Sequence, residues 1–114
     1  MSLESNLFAT LRALAADRVY PDVAPEGVAA PYITYQQVGG QAVNFVEARP
    51  VGRRNARVQV NCWASQRITA SDLMRSAEDA LMLGLQASAL SAAVSLHEPD
   101  MMLYGSMQDF SIWY

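Results

Sequence analysis

From Ala56 to Ser65 the chain alternates strictly between apolar and polar positions, with Val58, Val60, Cys62 and Ala64 on one side and Arg57, Gln59, Asn61, Trp63 and Ser65 on the other. This period of two predicts a β-strand with one buried and one wetter face, and so an antiparallel sheet covered on one side. Two helical patterns are available to cover it. Leu3, Leu7, Leu11 and Leu14, with Phe8 and Ala15, recur at three- and four-residue spacing, against Glu4, Asn6, Thr10, Arg12 and Asp17 on the other side. They predict an opening helix that ends near Ala16, with Ser2 as N-cap and Glu4 in the first turn. The second stripe, Leu73, Ala77, Leu81 and Leu85 with Ala80 and Gly84, predicts a helix from about Ala70 to Ala87, started by a Thr69/Asp72 capping box.

The remaining segments fall between these. Arg18 to Pro31 carries three prolines and a glycine, which predicts an ordered connector without regular structure, laid on the core through Val19, Tyr20 and Val23. Tyr32 to Val38 reads as a strand that turns at Gly39-Gly40 into a second strand from about Ala42 to Glu47. After the second helix, Leu90 to His97 reads as a further strand broken by Glu98-Pro99-Asp100. Met101 to Tyr104 reads as a short one, Gly105 as a kink, and Met107 to Tyr114 as a closing strand that sets Phe110, Ile112 and Tyr114 against Asp109, Ser111 and Trp113. The expectation is an α+β fold: a single mainly antiparallel sheet of four to six strands with two helices packed on one face, and Val60 in the core.

Length and composition add limits. A chain of 114 residues makes one domain, 1–114, and its apolar fraction of 52% supports a packed core rather than disorder. The formal charge of -3 gives the whole molecule no reason to seek nucleic acid or an anionic membrane, and no stretch has the length of a membrane span. Cys62 is the lone cysteine, which excludes an internal disulfide and makes the cytoplasm the natural compartment. Neither targeting nor anchoring is expected from the first residues.

Chemistry is poorly encoded. Cys62 and His97 are the only nucleophile and base that suggest themselves, and Cys62 falls on the apolar face of its strand, where a thiol is inert packing. His97 beside Glu98 and Asp100 lacks the partners of a metal site, and Gly39-Gly40 is followed by no helix that would make it a phosphate cradle. No enzyme activity, metal or cofactor is expected. Met101, Met102 and Met107 read as adaptable packing or as a functional patch.

Two features point to contacts with other molecules. All eight basic residues are arginine, and four of them, Arg49, Arg53, Arg54 and Arg57, crowd one loop that leads into the alternating strand. They are either a solvated loop or a contact arm for an acidic surface or DNA phosphates. Trp63 and Trp113 both take the polar side of their strands. They form a small secondary core with the connector, or they sit in a subunit interface.

Three stretches carry a resemblance: R-V-Y-P-D-V-A-P-E-G-V-A-A-P-Y-I-T-Y-Q (Arg18 to Gln36), R-V-Q-V-N-C-W-A (Arg57 to Ala64) and L-Y-G-S-M-Q-D-F-S-I-W-Y (Leu103 to Tyr114). In their order and spacing they resemble the tail-completion, or tail-terminator and tail-to-head joining, family of long-tailed bacteriophages and prophages. The resemblance implies a non-enzymatic virion tail protein, assembled in the host bacterial cytoplasm. It would form a ring, a hexamer, on the end of the tail tube, end tube growth and meet the head connector protein, with DNA only as a passenger through the ring. The family implies no catalytic residues. One departure is that Leu103-Tyr104 is followed by Gly105-Ser106-Met107, without a basic pair. The alternative class is a small-molecule-binding or other interaction domain, which would need a polar-lined pocket for which the sequence offers no convergent groups.

Overall fold

The computed structural model describes residues 2–42 and 52–114. Among them the order is α1 (Leu3–Leu11), a 3-10 turn (Arg12–Leu14), β1 (Val19–Pro21), β2 (Tyr32–Gly39), β3 (Asn55–Ala64), α2 (Arg67–Leu85), β4 (Ser88–Ala89), β5 (Val94–Glu98) and β6 (Leu103–Trp113). The six strands make one open sheet in the order β1-β2-β3-β6-β4, with β5 beside β4 on the same edge of β6. All pairings are antiparallel except β1 with β2. The fold is therefore the expected α+β, with mostly antiparallel strands.

The alternating strand is its centre. Ala56, Val58, Val60, Cys62 and Ala64 are at most 1% exposed, and they face the helices together with Phe110 and Ile112 of β6 and Ile33 and Tyr35 of β2. α2 lies along β3 and β6 through Ala70, Leu73, Met74, Ala77 and Leu81, and α1 adds Leu3, Leu7 and Leu11 beside it to the same core. α1 starts as read: the Ser2 hydroxyl accepts from the Ser5 amide, and the Ser5 hydroxyl accepts in return from the Ser2 amide, each at 3.1 Å.

Four local readings need correction. α2 begins at Arg67, with Gln66 as an N-cap that makes no side-chain hydrogen bond, so Thr69 and Asp72 lie exposed inside the helix instead of forming a capping box. Only two residues separate β3 from α2, and Arg67 is fixed across the sheet, its guanidinium donating to the carbonyls of Gly105 (2.6 Å) and Leu96 (2.5 Å). The helix closes at Gln86, in the left-handed region at φ 53. Gly105 is no kink: Leu103–Trp113 is one uninterrupted strand, paired at Gly105 with Trp63 on one side and Leu96 on the other. A Cβ there would stand 2.7 Å from the Trp63 ring, so glycine is required for the indole to lie across β6.

The connector contains a strand, β1, because Pro21 sits at the end of an edge strand, where the missing N–H costs no ladder bond. Val19 is buried as expected, but Val23 is 77% exposed. Gly39-Gly40 does not fold β2 onto an immediately following strand across its β3 edge, since β2 pairs there with β3 from Tyr32↔Trp63 to Gly39↔Arg57. Gly40 instead packs on the start of β3, where a Cβ would collide with the Asn55 carbonyl, and the Asn55 side chain fixes the arrangement by accepting from the Gln41 amide (2.8 Å) and donating to Ser111 Oγ (2.9 Å). The expected strand from Ala42 to Glu47, and Arg49 with it, lies outside the described residues but for Ala42.

Candidate functional site: the open face of the sheet

The helices cover one face only. By register, the other face carries Tyr32, Thr34 and Gln36 of β2; Arg57, Gln59, Asn61 and Trp63 of β3; Met107, Asp109, Ser111 and Trp113 of β6; and Val94, Leu96 and Glu98 of β5. Its polar middle is tied together within the subunit. Arg57 donates from Nε to Asp109 Oδ2 at 2.9 Å and approaches the same oxygen through Nη2, also at 2.9 Å, across one diagonal step of the β3-β6 ladder. Arg57 is thus a strand residue paired in its own chain and not part of the loop's projecting charge.

The two ends of this face differ. At one end the segment from Asp22 to Val28 stands over Trp63, Tyr32 and Thr34, and encloses with Glu98, Met101 and Leu103 a groove of about 530 Å³. Trp63 forms its floor, and Asp22, Glu26 and Glu98 supply carboxylates. Val23 and Met101 are 77% and 63% exposed, so the groove's rim is apolar and open. The methionine reading divides here: Met107 is half-buried, while Met101 and Met102 are exposed in the turn before β6 and pack little.

At the other end stands Trp113, 40% exposed, while Arg53 and Arg54, also exposed, lie in the chain leading into β3, Arg54 one ladder step past Asn55↔Trp113 with its side chain on the helix side of the sheet. Arg54 is held there by a backbone pair with Tyr114, its N–H donating at 2.6 Å and its carbonyl accepting at 2.8 Å. The two tryptophans share a face but do not meet. Trp63 pairs with Gly105 and Trp113 with Asn55, eight ladder steps apart, a span of about 26 Å at strand rise. Trp63 therefore lines the groove beside the connector, and Trp113 stands at the opposite end. Sequence reasoning missed the groove, and its signal was the exposed apolar Val23 and Met101 flanked by acids.

The residues considered for chemistry are kept apart. Cys62 is fully buried among apolar side chains, and burial pushes its thiol up to about 12, which keeps it protonated at any physiological pH. His97 lies on β5, with β6 between it and β3, and its ring stacks on Tyr104 at 4.7 Å. The Arg67 guanidinium also lies near the Tyr104 ring, 5.3 Å from its centroid. Among the described residues no group of three or more His, Cys, Asp or Glu is placed to hold a metal, and no helix is long and apolar enough to cross a membrane.

The features developed on this chain are surface features: a small α+β domain with one covered and one open sheet face, an apolar groove at one end of the open face and an exposed tryptophan at the other. The particular family follows from comparison. The family model described as "Tail completion protein gp17" matches residues 7–114, so the chain belongs to the phage tail-completion family. A comparison with curated proteins finds no match. Membership gives the chain a structural role as a component of the phage tail, in contact with other tail components.

Proposed function

We propose that this protein is a tail terminator: a ring, most simply a hexamer, that caps the tail tube, ends its polymerisation and joins the tail to the head connector protein. The observation that carries the reading is the family match over nearly the whole chain. Its exposed surface supports it, because Trp113 on the open face and Arg53 and Arg54 before β3 are exposed, and tryptophan and arginine are the residue types that dominate binding energy at protein interfaces. The role needs no bond-making step, in keeping with a protonated, buried Cys62. Candidate contacts are Arg49, Arg53, Arg54, Trp63 and Trp113. Arg57, paired with Asp109, serves by holding the face together. Six-fold repetition adds modest ionic contacts into a salt-sensitive union with the tube, and any arginines that line the ring's passage would meet DNA only as it moves through. Assembly would take place in the host bacterial cytoplasm.

Electron microscopy of particles from cells that lack the protein tests this directly: tubes of uncontrolled length without heads are expected, and normal-length tails joined to heads would overturn the role. In a complementation assay, Arg53→Ser combined with Arg54→Ser should reduce joined tails and infectious particles, increasingly so as salt is raised. Normal yields would reduce the loop to a solvated tip.

A further inference from the structure

The groove beside Trp63 has the build of a receptor for a cationic side chain. Trp63 rests on the backbone of β6 at Gly105, where a Cβ would meet three carbons of its ring at 2.7–3.1 Å, and the side turned away from that strand lines the groove. Carboxylates stand on two walls: Asp22 and Glu26 on the connector, Glu98 at the end of β5. We infer that the groove binds a basic segment of another tail protein, seating an arginine on the Trp63 indole between those carboxylates and laying the apolar residues next to it along Val23 and Met101. The inference rests on the family membership and on the groove itself, and it holds whether or not the chain closes into a ring.

Three observations carry it. The charge of the groove has one sign: its charged lining residues are the three acids, and among the described residues the salt bridges Arg12–Asp17 and Arg57–Asp109 draw on none of them. The arginines of adjoining elements are turned to backbone carbonyls, Arg18 to that of Pro31 and Arg67 to those of Gly105 and Leu96. A cleft of this kind attracts a cationic segment and repels an acidic one. The floor, secondly, selects the cation. An indole is the best aromatic partner for a guanidinium, and a carboxylate beside it can accept from both arms of the planar fork, which favours arginine over lysine. Finally, the rim calls for a protein rather than a free cation. Val23 and Met101 are 77% and 63% exposed, apolar area that a lone cation would leave in water and a chain with apolar neighbours to its arginine would cover. Beyond the Tyr32↔Trp63 pair the floor turns polar at Thr34 and Asn61, register partners on β2 and β3, where the backbone of such a segment finds hydrogen bonds.

The test has two arms. In the first, Trp113→Phe leaves Trp63 as the single tryptophan, and its fluorescence is followed, with calorimetry in parallel, while a capped peptide Ala-Arg-Leu-Arg-Ala is added. The emission should shift saturably. The same peptide with glutamate for both arginines should give no shift, and Glu26→Gln combined with Glu98→Gln should weaken binding of the arginine peptide about tenfold, as expected when hydrogen bonds to charged partners are lost. No saturable binding of the arginine peptide would overturn the inference. So would equal binding of the glutamate peptide, or unchanged affinity in the double variant. Circular dichroism that matches wild type shows that the variants are folded. The second arm identifies the occupant: the protein carrying a photoreactive p-benzoylphenylalanine in place of Val23 is assembled into tails, which are purified and irradiated. Mass spectrometry should find the cross-link on a segment of another tail protein that holds arginine next to apolar residues. A cross-link only to a second copy of this chain, one to a segment without arginine, or none at all would overturn the assignment. None of these outcomes bears on tube length or head joining, so the terminator reading stands or falls separately.

Discussion

The two faces of β6 differ more sharply than any two elements of the fold. Phe110 and Ile112 are buried to within 2% under the helices, while Trp113, one residue further on, is 40% exposed, and Asp109 and Ser111 form polar contacts on the open side. Alternate residues of one strand therefore answer to different demands, close packing under the helices on one side and an open surface on the other. The lesson is that stability and assembly should be separable by substitutions only a few residues apart.

The largest effect is expected from Phe110→Ala, which removes a fully buried ring at the centre of the core and should cost about 3 to 5 kcal/mol in denaturant melts. Trp113→Ala should cost less than about 1 kcal/mol, typical of a surface position, yet impair tail completion. Comparable melts for the two variants would break the division between the faces.

A smaller effect, with its own pH signature, is expected at Cys62. Cys62→Ala leaves a small void and should cost roughly 1 kcal/mol near neutral pH, with tail completion intact. Because burial raises the thiol from its ordinary value of 9.0 to about 12, the unfolded chain ionises first. The thiol's contribution is then complete below pH 9 and is lost between pH 9 and 12 as the unfolded state sheds its proton. Burial raises the Tyr32 and Tyr35 hydroxyls too, with Glu4 and Asp22 adding at Tyr35, so these push in the same direction and the difference between variant and wild type is what isolates Cys62. The alkaline loss of stability should be shallower in Cys62→Ala, and equal slopes would place the thiol in contact with water.

The smallest effect should come from Arg57 and Asp109. A double-mutant cycle to Ala is expected to give a coupling below about 1 kcal/mol that shrinks in salt, since the arginine side chain is 47% exposed. A coupling well above that would make the middle of the open face a structural element in its own right.

The covered face was largely legible from the sequence because period-two alternation states burial directly, as at Val58, Val60 and Cys62, and the leucine spacings of both helices do the same at three and four. The open face was less so. β1 hid behind Pro21, whose tolerance at an edge depends on which neighbour the strand acquires. Gly105 was read by its own conformational freedom, when its role is set by Trp63 more than forty residues away. The Thr69/Asp72 spacing imitates a cap, but Arg67 starts the helix earlier by reaching carbonyls of β5 and β6, and no local window contains those. The groove unites residues from the connector, β3 and the β5-β6 turn, so only its apolar and acidic ingredients were visible, not their meeting.

The position of β6 has a consequence for synthesis. It comes from residues 103–113 yet lies inside the sheet, between β3 and the β4-β5 edge. While the ribosome makes the roughly fifty residues from the end of β3 to the end of β6, a delay of about 2 to 10 s at ordinary elongation rates, β3 waits with one edge unpaired. Both ends of the open face depend on that last pairing, through Gly105 beneath Trp63 and through Trp113 itself, paired with Asn55. Until β6 has paired, neither end of the open face is in its finished form.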